Sequence, residues 1–301
     1  MYKILIWGCG LQYGWYINAI RYHELKQSIK VVGITGKDEI YHCLDGYPFI
    51  PLKELNNYTF DYIVVTSEKY YENICEEAEL LGFSREKIIQ GKVFCLPSFH
   101  FEKYVQLIQS RVSIIANNCW GGTAYHALGM RFLSPFINMF LNDADYIRLL
   151  RNLKYYLGLK LRFVQEGYNP VLERTYPVCR LDDVELHFNH YINMQEVEEK
   201  WYGRIRRLNW ENLFIMMFTE NHRIMEDFDA LPYQKKICFA PFKSPEKSAF
   251  YFQLIDHEEM QSYPFWEIVN KTASGYFHEY DLIELLNTGM VNHDRYYLEE
   301  K

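Results

Sequence analysis

No run of apolar residues in the 301-residue chain approaches the roughly 20 that a helix needs to cross a bilayer. The first ten residues read as a strand entering a glycine turn, without the basic region and cleavage site of a signal peptide. The seven cysteines are odd in number, lie far apart and include no Cys-x-x-Cys pair, which argues against disulfides and zinc. We therefore expect a cytoplasmic protein with reduced thiols.

Basic residues do not outnumber acidic ones. The chain has 32 Lys and Arg against 39 Asp and Glu, a formal charge of −7 and a pI of about 5.8. A general nucleic-acid binder carries net positive charge, so the composition argues against a nucleic-acid partner. Aromatic residues are abundant at 17%, which suits either stacking on sugar rings or ordinary half-buried packing.

Short β-branched runs alternate with helical patterns in the amino-terminal third, with predicted strands at residues 3–7, 30–35 and 61–67. This alternation predicts βαβ units and a parallel sheet. Residues 91–101 carry Gly, Pro and Ser between periodic segments, and the length favours two domains. We predict a Rossmann-like domain over 1–100 and a second α/β domain, with a mixed or parallel sheet, over 101–301.

The second domain repeats the alternation of strands and helices. The predicted strands cover residues 112–116, 184–188, 213–218 and 236–240, with 250–255 as a further candidate, and the predicted helices cover 124–132, 143–157, 195–207, 223–229 and 280–286.

A glycine turn, Gly8-x-Gly10, follows the first strand and precedes a helix. Glycine lets the backbone approach a phosphate, and a helix start offers free N–H groups. The dinucleotide fingerprint places a third glycine where this chain has Tyr13 and an acidic residue where Thr35 stands, with Asp38 arriving late, so NAD is disfavoured. Two interpretations remain for the turn: a nucleotide or nucleotide-sugar site, or turn geometry alone.

Polar side chains concentrate where the strands of the second domain end. Ligands of parallel α/β sheets bind beyond the carboxyl ends of the strands, so these residues are site candidates. The candidate catalytic residues are Cys119, His190, Glu220 and His222, and the candidate substrate-binding residues at the same exits are Asn117, Asn118, Trp120 and Asn189. We predict that they line one shared hollow.

Cys119 lies just before a helix start, where the dipole and free amides lower a thiol pKa. With His187 or His190 as base, oriented by Asp182 or Asp183, this outlines a Cys–His nucleophile. The alternative is a small buried thiol in a tight Gly-Gly turn. The His-x-x-His spacing gives poor ligand geometry on a strand and loop, so we predict no metal site.

Two basic segments each leave two interpretations open. Arg204 and Arg207, with Arg206 between them, suit a diphosphate, yet cations at a helix end are also explained by its dipole. The basic residues within 143–163 form an amphipathic face that predicts either contact with anionic lipid at the inner face of the membrane or a solvated helix face.

The amino-terminal segments resemble a recurring bacterial Rossmann-like module. The segments that carry this likeness are KILIWGCG, VVGIT, DGYPFIPLKEL, FDYIVVTS and GFSREKII. They are similar to the amino-terminal halves of sugar acyltransferases acting on nucleotide-linked amino sugars, and to domains attached to glycan enzymes. The resemblance implies that the glycine turn faces a nucleotide-sugar. The β-helix repeats of those acyltransferases are absent from the sequence, so their activity is not implied.

A second resemblance covers about residues 111–242. It rests on the motifs NNCWGG, SPFIN, HFNHY and W-x-x-R-x-x-R-x-N. These look like a bacterial domain family of unassigned function that is associated with exopolysaccharide and capsule biosynthesis. The resemblance implies a process, surface-glycan assembly, and supplies neither a reaction nor catalytic residues.

Three hypotheses for the function follow. The first is a transferase acting on a nucleotide- or phosphate-linked sugar, in which a carboxylate or histidine deprotonates the acceptor and Arg204 and Arg207 stabilise the diphosphate leaving group. The second is a Cys119-dependent acyltransferase or hydrolase acting on a glycan substituent. The third is a non-catalytic nucleotide-sugar binding or assembly partner. All three predict a small-molecule sugar or nucleotide-sugar as ligand.

Overall fold

The computed structural model describes residues 1–37, 42–252, 255, 257–275 and 279–291, so Asp38 lies outside the described residues. The chain folds into two compact units. The first comprises residues 1–109 with 128–130, and the second comprises 110–127 with residues from 131 onward. Each unit contains a parallel sheet with helices, which confirms the predicted fold class of two α/β domains.

The first unit is built on the parallel sheet β2-β1-β5-β6. Its elements are β1 (Tyr2–Trp7), α1 (Leu11–Leu25), β2 (Ile29–Thr35), the hairpin β3 (Cys43–Leu44) and β4 (Tyr47–Pro48), β5 (Tyr62–Val65), α2 (Tyr71–Leu80), β6 (Ile88–Gln90) and α3 (Phe101–Ser110). The chain runs from β1 to β2 on one side and then crosses to β5 on the other. The exits of β1 and β5 therefore flank the switch point, where open α/β sheets bind ligands.

The core of the first unit explains its continuous apolar strands. Leu5 and Trp7 of β1 pack with Ile63 and Val65 of β5 and with Ile74 of α2, all of them buried. A parallel strand is covered on both faces, so its sequence is apolar without alternation.

The second unit is built on the parallel sheet β13-β12-β11-β7 and a separate antiparallel sheet β10-β9-β8. Its elements are β7 (Ser113–Ala116), α4 (Trp120–Ala127), α5 (Asp143–Arg151), α6 (Leu153–Leu157), β8 (Arg162–Asn169), β9 (Arg174–Leu181), β10 (Val184–His187), α7 (Met194–Ile205), β11 (Leu213–Phe218), α8 (His222–Asp229), β12 (Lys236–Ala240), β13 (Ala249–Tyr251), α9 (His257–Ser262), α10 (Phe265–Ala273) and α11 (Leu282–Thr288).

The predicted helix over 143–157 is two helices. Asn152, between α5 and α6, adopts φ −145° and ψ 53°, outside the helical region. The predicted helix over 124–132 begins earlier, at Trp120, and ends at Ala127. β8 was not predicted because nearly all of it is exposed, so its sequence lacks the alternation that marks a half-buried strand.

Tyr146 fixes α5 over the parallel sheet of the second unit. Its buried hydroxyl lies 2.9 Å from the carbonyl oxygens of Ile115 in β7 and Met216 in β11. Asn142 caps the helix by accepting from the Asp145 amide at 2.9 Å. These contacts hold the first residue of α5 at the carboxyl edge of the sheet.

Within the described residues, none of the helices combines the length and apolar character required to span a bilayer.

Candidate functional site at the strand exits

Asn117 joins the ends of β7 and β11. Its Nδ2 donates to the Phe218 carbonyl oxygen at 3.0 Å, and its Oδ1 accepts from the Phe218 amide at 3.2 Å. Its own carbonyl oxygen accepts from the Leu141 amide at 3.0 Å, and the residue is 1% exposed. Asn117 therefore extends the strand pairing beyond β7, and this pairing occupies its amide.

The Asp143 carboxylate lies against the exit of β11. Thr219, directly after that strand, donates from its hydroxyl to Asp143 Oδ2 at 2.5 Å, while its amide donates to Phe239 of β12. Burial raises the pKa of Asp143, the Thr219 hydrogen bond opposes the rise, and the nearby Glu220 carboxylate adds to it. The sheet thus holds a half-buried carboxyl that accepts a proton more readily than an ordinary aspartate.

Glu220 and His222 stand exposed at the same edge. His222 begins α8, and its ring lies on Phe242, with centroids 3.7 Å apart and planes inclined by 30°. Phe242 comes two residues after β12, so this contact joins the exits of β11 and β12. We call Asp143, Thr219, Glu220 and His222 the strand-exit cluster. A carboxyl of raised pKa is suited to proton transfer, and an exposed imidazole stands at the same edge of the sheet.

The residues after β7 are more buried than expected. Asn118 Oδ1 accepts from the Trp120 amide at 3.0 Å, while its buried Nδ2 has no hydrogen-bond partner among the described residues. Trp120 is fully buried and its indole N–H donates to Tyr280 at 3.0 Å, so contact with a substrate would require this core to open.

The thiol of Cys119 does not have the lowered pKa that its sequence position predicts. Burial raises the pKa of its thiol to about 11, the opposite direction to the lowering expected from the helix start. The cause of this rise is desolvation of the thiolate by burial. A nucleophilic role for Cys119 stays a prediction without support from its pKa.

His190 and Asn189 follow β10 in the antiparallel sheet. The His190 carbonyl oxygen accepts from Arg174 at 3.0 Å, and burial together with the Arg174 charge lowers the pKa of the His190 ring. Asn189 Oδ1 is buried with no hydrogen-bond partner in the described part of the chain. His187 stacks on Phe140 with centroids 4.4 Å apart.

The shared hollow around Cys119, His190 and His222 stays a prediction. No hydrogen bond, ion pair or ring contact between described residues joins these three side chains to one another. The strand exits that do come together are those of β7, β11 and β12, through Asn117 and the strand-exit cluster.

Arg204 and Arg207 lie at the end of α7. Arg204 is 6% exposed and donates from Nη1 to the Tyr191 hydroxyl at 2.6 Å, in a buried pair. Cys119 lies close enough to Tyr191 to contribute to raising that hydroxyl's pKa, which burial raises most. Among the described residues no hydrogen bond or ion pair links these arginines to the strand-exit cluster, so a joint role at one site stays a prediction.

No group of three or more His, Cys, Asp or Glu side chains within the described ranges is arranged to hold a metal ion. Asp182 and Asp183 accept hydrogen bonds from the hydroxyls of Tyr155 and Tyr156, at 3.1 and 2.8 Å. These bonds tie the hairpin between β9 and β10 to α6.

In the glycine turn of the first unit, the backbone geometry requires glycine at Gly8 but not at Gly10. Gly8 has φ +119°, and a Cβ there would lie 2.8 Å from the Thr66 hydroxyl oxygen. A Cβ at Gly10, before α1, would meet nothing within 4 Å. Tyr13 stands in the place of the third glycine and donates to Asp45 at 2.9 Å. The nucleotide-sugar role of the turn stays a prediction.

Ion pairs engage part of the basic face over 143–163. Arg148 pairs with Asp145 and Asp183, and Arg151 pairs with Asp227 at 2.7 Å. These pairs are compatible with a solvated helix face, and contact with anionic lipid stays a prediction.

The chain belongs to the family described as a domain of unknown function (DUF1919), whose model matches residues 90–287. Residues 1–89 match a second model, described as C2185-like, N-terminal. The chain is similar to an uncharacterized protein of Haemophilus influenzae, 34% identical over 186 residues that cover 60% of this chain and 87% of that relative. The predicted membership of a family of unassigned function is confirmed, and the matched range is wider than the expected 111–242.

Sequence patterns did not single out Asp143. An aspartate in the first turn of a helix is what the helix dipole alone predicts, so the residue carried no separate signal. Its partner Thr219 comes from a strand exit 76 residues later, and only the fold brings the two together.

Proposed function

We propose that the second unit transfers a sugar from a nucleotide- or phosphate-linked donor to an acceptor hydroxyl during surface-glycan assembly. Support for the process comes from the resemblance of the motifs within residues 111–242 to a family associated with exopolysaccharide. Support for the chemistry comes from one observation, the half-buried Asp143 carboxylate at the carboxyl edge of a parallel sheet, with a pKa above its usual range.

Asp143 is the general base in this proposal. Its carboxylate takes the proton of the acceptor hydroxyl as the acceptor oxygen bonds to the anomeric carbon of the donor sugar. The bond from that carbon to the phosphate oxygen breaks, and the leaving phosphate group carries away the electron pair. The Thr219 hydroxyl positions Asp143 through its hydrogen bond, and in this proposal the exposed edge of the His222 ring, which lies on Phe242, orients the acceptor.

The test is release of nucleotide from a panel of UDP-, GDP- and CMP-sugars in the presence of glycan acceptors. We expect the wild-type chain to turn over at least one donor and Asp143→Asn to lose roughly 10²-fold or more of kcat, the usual contribution of a general base. Because the charged form of Asp143 is disfavoured by burial, Asp143→Asn is expected to be at least as stable as wild type at neutral pH.

The matched control is Glu226→Gln, which removes an exposed carboxylate from α8 outside the cluster. It is expected to turn over donors at the wild-type rate. Cys119→Ser is also expected to retain turnover, whereas its inactivation would favour the Cys-dependent hypothesis. Binding of donors by wild type without any turnover across the panel would instead favour a non-catalytic partner.

A further inference from the structure

Four arginines belong to the end of α7 and to the segment packed against it. Arg204, Arg206 and Arg207 occupy its last residue but one and the two residues after its end. Arg204 lies over the Phe132 ring, 5.2 Å from its centroid, and Arg131 precedes that phenylalanine. Arg207 Nε donates to the Gly203 carbonyl oxygen at 3.2 Å, and Arg206 Nη2 lies 4.0 Å from the position that a Cβ on Gly203 would take, so both side chains lie against the residue that precedes Arg204. Burial and the charges of Arg131, Arg204 and Arg206 lower the pKa of Arg207, in keeping with this proximity. We call these four residues the arginine cluster.

No carboxylate neutralises the arginine cluster within the described part of the chain. Three other arginines of the same unit are paired: Arg148 with Asp145, Arg151 with Asp227, and Arg180 with Glu185 at 3.1 Å. By contrast, the hydrogen bond of Arg204 goes to the neutral Tyr191 hydroxyl, and that of Arg207 goes to the Gly203 carbonyl oxygen at 3.2 Å.

Burial makes this arrangement unfavourable for a protein without a ligand. Arg204 is 6% exposed and Arg207 is half-buried, so neither has the full hydration that normally offsets a charge. The carboxyl end of α7 supplies only about half a negative elementary charge, which is too little to balance four cations. A bound anion would balance them.

We propose that the arginine cluster binds a diphosphate group. Guanidinium forks match phosphate oxygens in bidentate geometry, and two linked phosphates carry enough charge to engage more than one arginine. Arg204, held by Tyr191, would be the fixed anchor, and the more exposed Arg131, Arg206 and Arg207 would close around the anion. The diphosphate can be inorganic or belong to a nucleotide, and the site is independent of whether the strand-exit cluster is catalytic.

The test is calorimetric titration of the full chain with two probes, inorganic diphosphate and UDP. The double variant Arg206→Gln/Arg207→Gln removes two cations that are exposed or half-buried, and we expect it to raise both Kd values at least tenfold with an unchanged melting temperature. Equal affinity for the probes would indicate that only the phosphates are recognised. Tighter binding of UDP would place a nucleoside beside the cluster.

Arg151→Gln is the matched control because it removes an exposed arginine that is already ion-paired. Its Kd values are expected to stay within twofold of wild type. Arg204→Lys keeps the charge but loses the fork, and where it folds it is expected to bind more weakly. Asp143→Asn is expected to bind diphosphate as wild type does, which separates this proposal from the proposed transferase activity. Failure of both probes to bind wild type, or native affinity in the double variant, would overturn it.

Discussion

The residues at the carboxyl ends of the strands differ between the two parallel sheets. In the first unit the exits carry glycine, and the neighbouring side chains bond to backbone: Thr66 to the Gly8 carbonyl oxygen and Thr35 to that of Ile50. In the second unit the exits carry Asp143, Glu220 and other polar side chains. One local architecture, strand to turn to helix, therefore places a glycine turn after β1 in the first sheet and a carboxylate of raised pKa against the end of β11 in the second.

The largest stability effect is expected at the glycine turn. Gly8→Ala forces a side chain into the left-handed φ region and against Thr66, so we expect the free energy of unfolding to fall by about 3 kcal/mol. Gly10→Ala faces open space and is expected to change it by less than about 1 kcal/mol. Urea unfolding of both variants provides the measurement. Equal losses would show that the two glycines do not differ as the backbone geometry indicates.

The alkylation rate of Cys119 tests whether the edge of the second sheet holds a reactive thiol as well as carboxylates. A pKa of about 11 leaves little thiolate at neutral pH, so alkylation should be at least roughly tenfold slower than at the exposed Cys43. Mass spectrometry after brief iodoacetamide treatment at pH 7.5 measures both rates in one sample. Preferential labelling of Cys119 would favour Cys119 over Asp143 as the catalytic group.

The smallest expected effect is the change of the free energy of unfolding with pH that His23 of the first unit causes. His23 is buried between Phe94 and Phe99, and burial lowers its pKa below the ordinary 6.5. The unfolded chain then binds more protons than the folded chain as pH falls below 6.5, so the free energy of unfolding falls through that range.

The matching variant is His23→Leu, in which the free energy of unfolding should fall less between pH 7.5 and 5.5 than it does in wild type. The slope should not vanish, because His187 and His190 of the second unit have lowered pKa values as well. Chemical denaturation at the two pH values measures the difference. An unchanged slope in the variant would mean that His23 does not titrate as its burial requires.

Sequence patterns predicted the sheets better than the site. The strands Leu213–Phe218 and Lys236–Ala240 match their predicted bounds because each contains an apolar run with an abrupt end, at the polar Thr219 in the first and at Pro241 in the second. No comparable pattern in the sequence shows in which direction a side chain after a strand points. Trp120 was expected to face a substrate, yet the local turn sends it into the core against Phe214. Pairings such as Thr219 with Asp143 depend on crossover connections that no local pattern reveals.

The most direct test of the strand-exit cluster is an NMR titration of the aspartate carboxyl carbons, with the Asp143 signal assigned by its loss in Asp143→Asn. We predict a midpoint for Asp143 above the ordinary aspartate value of 3.8. A midpoint at or below 3.8 would contradict the claim that this edge of the sheet holds a carboxyl suited to proton transfer.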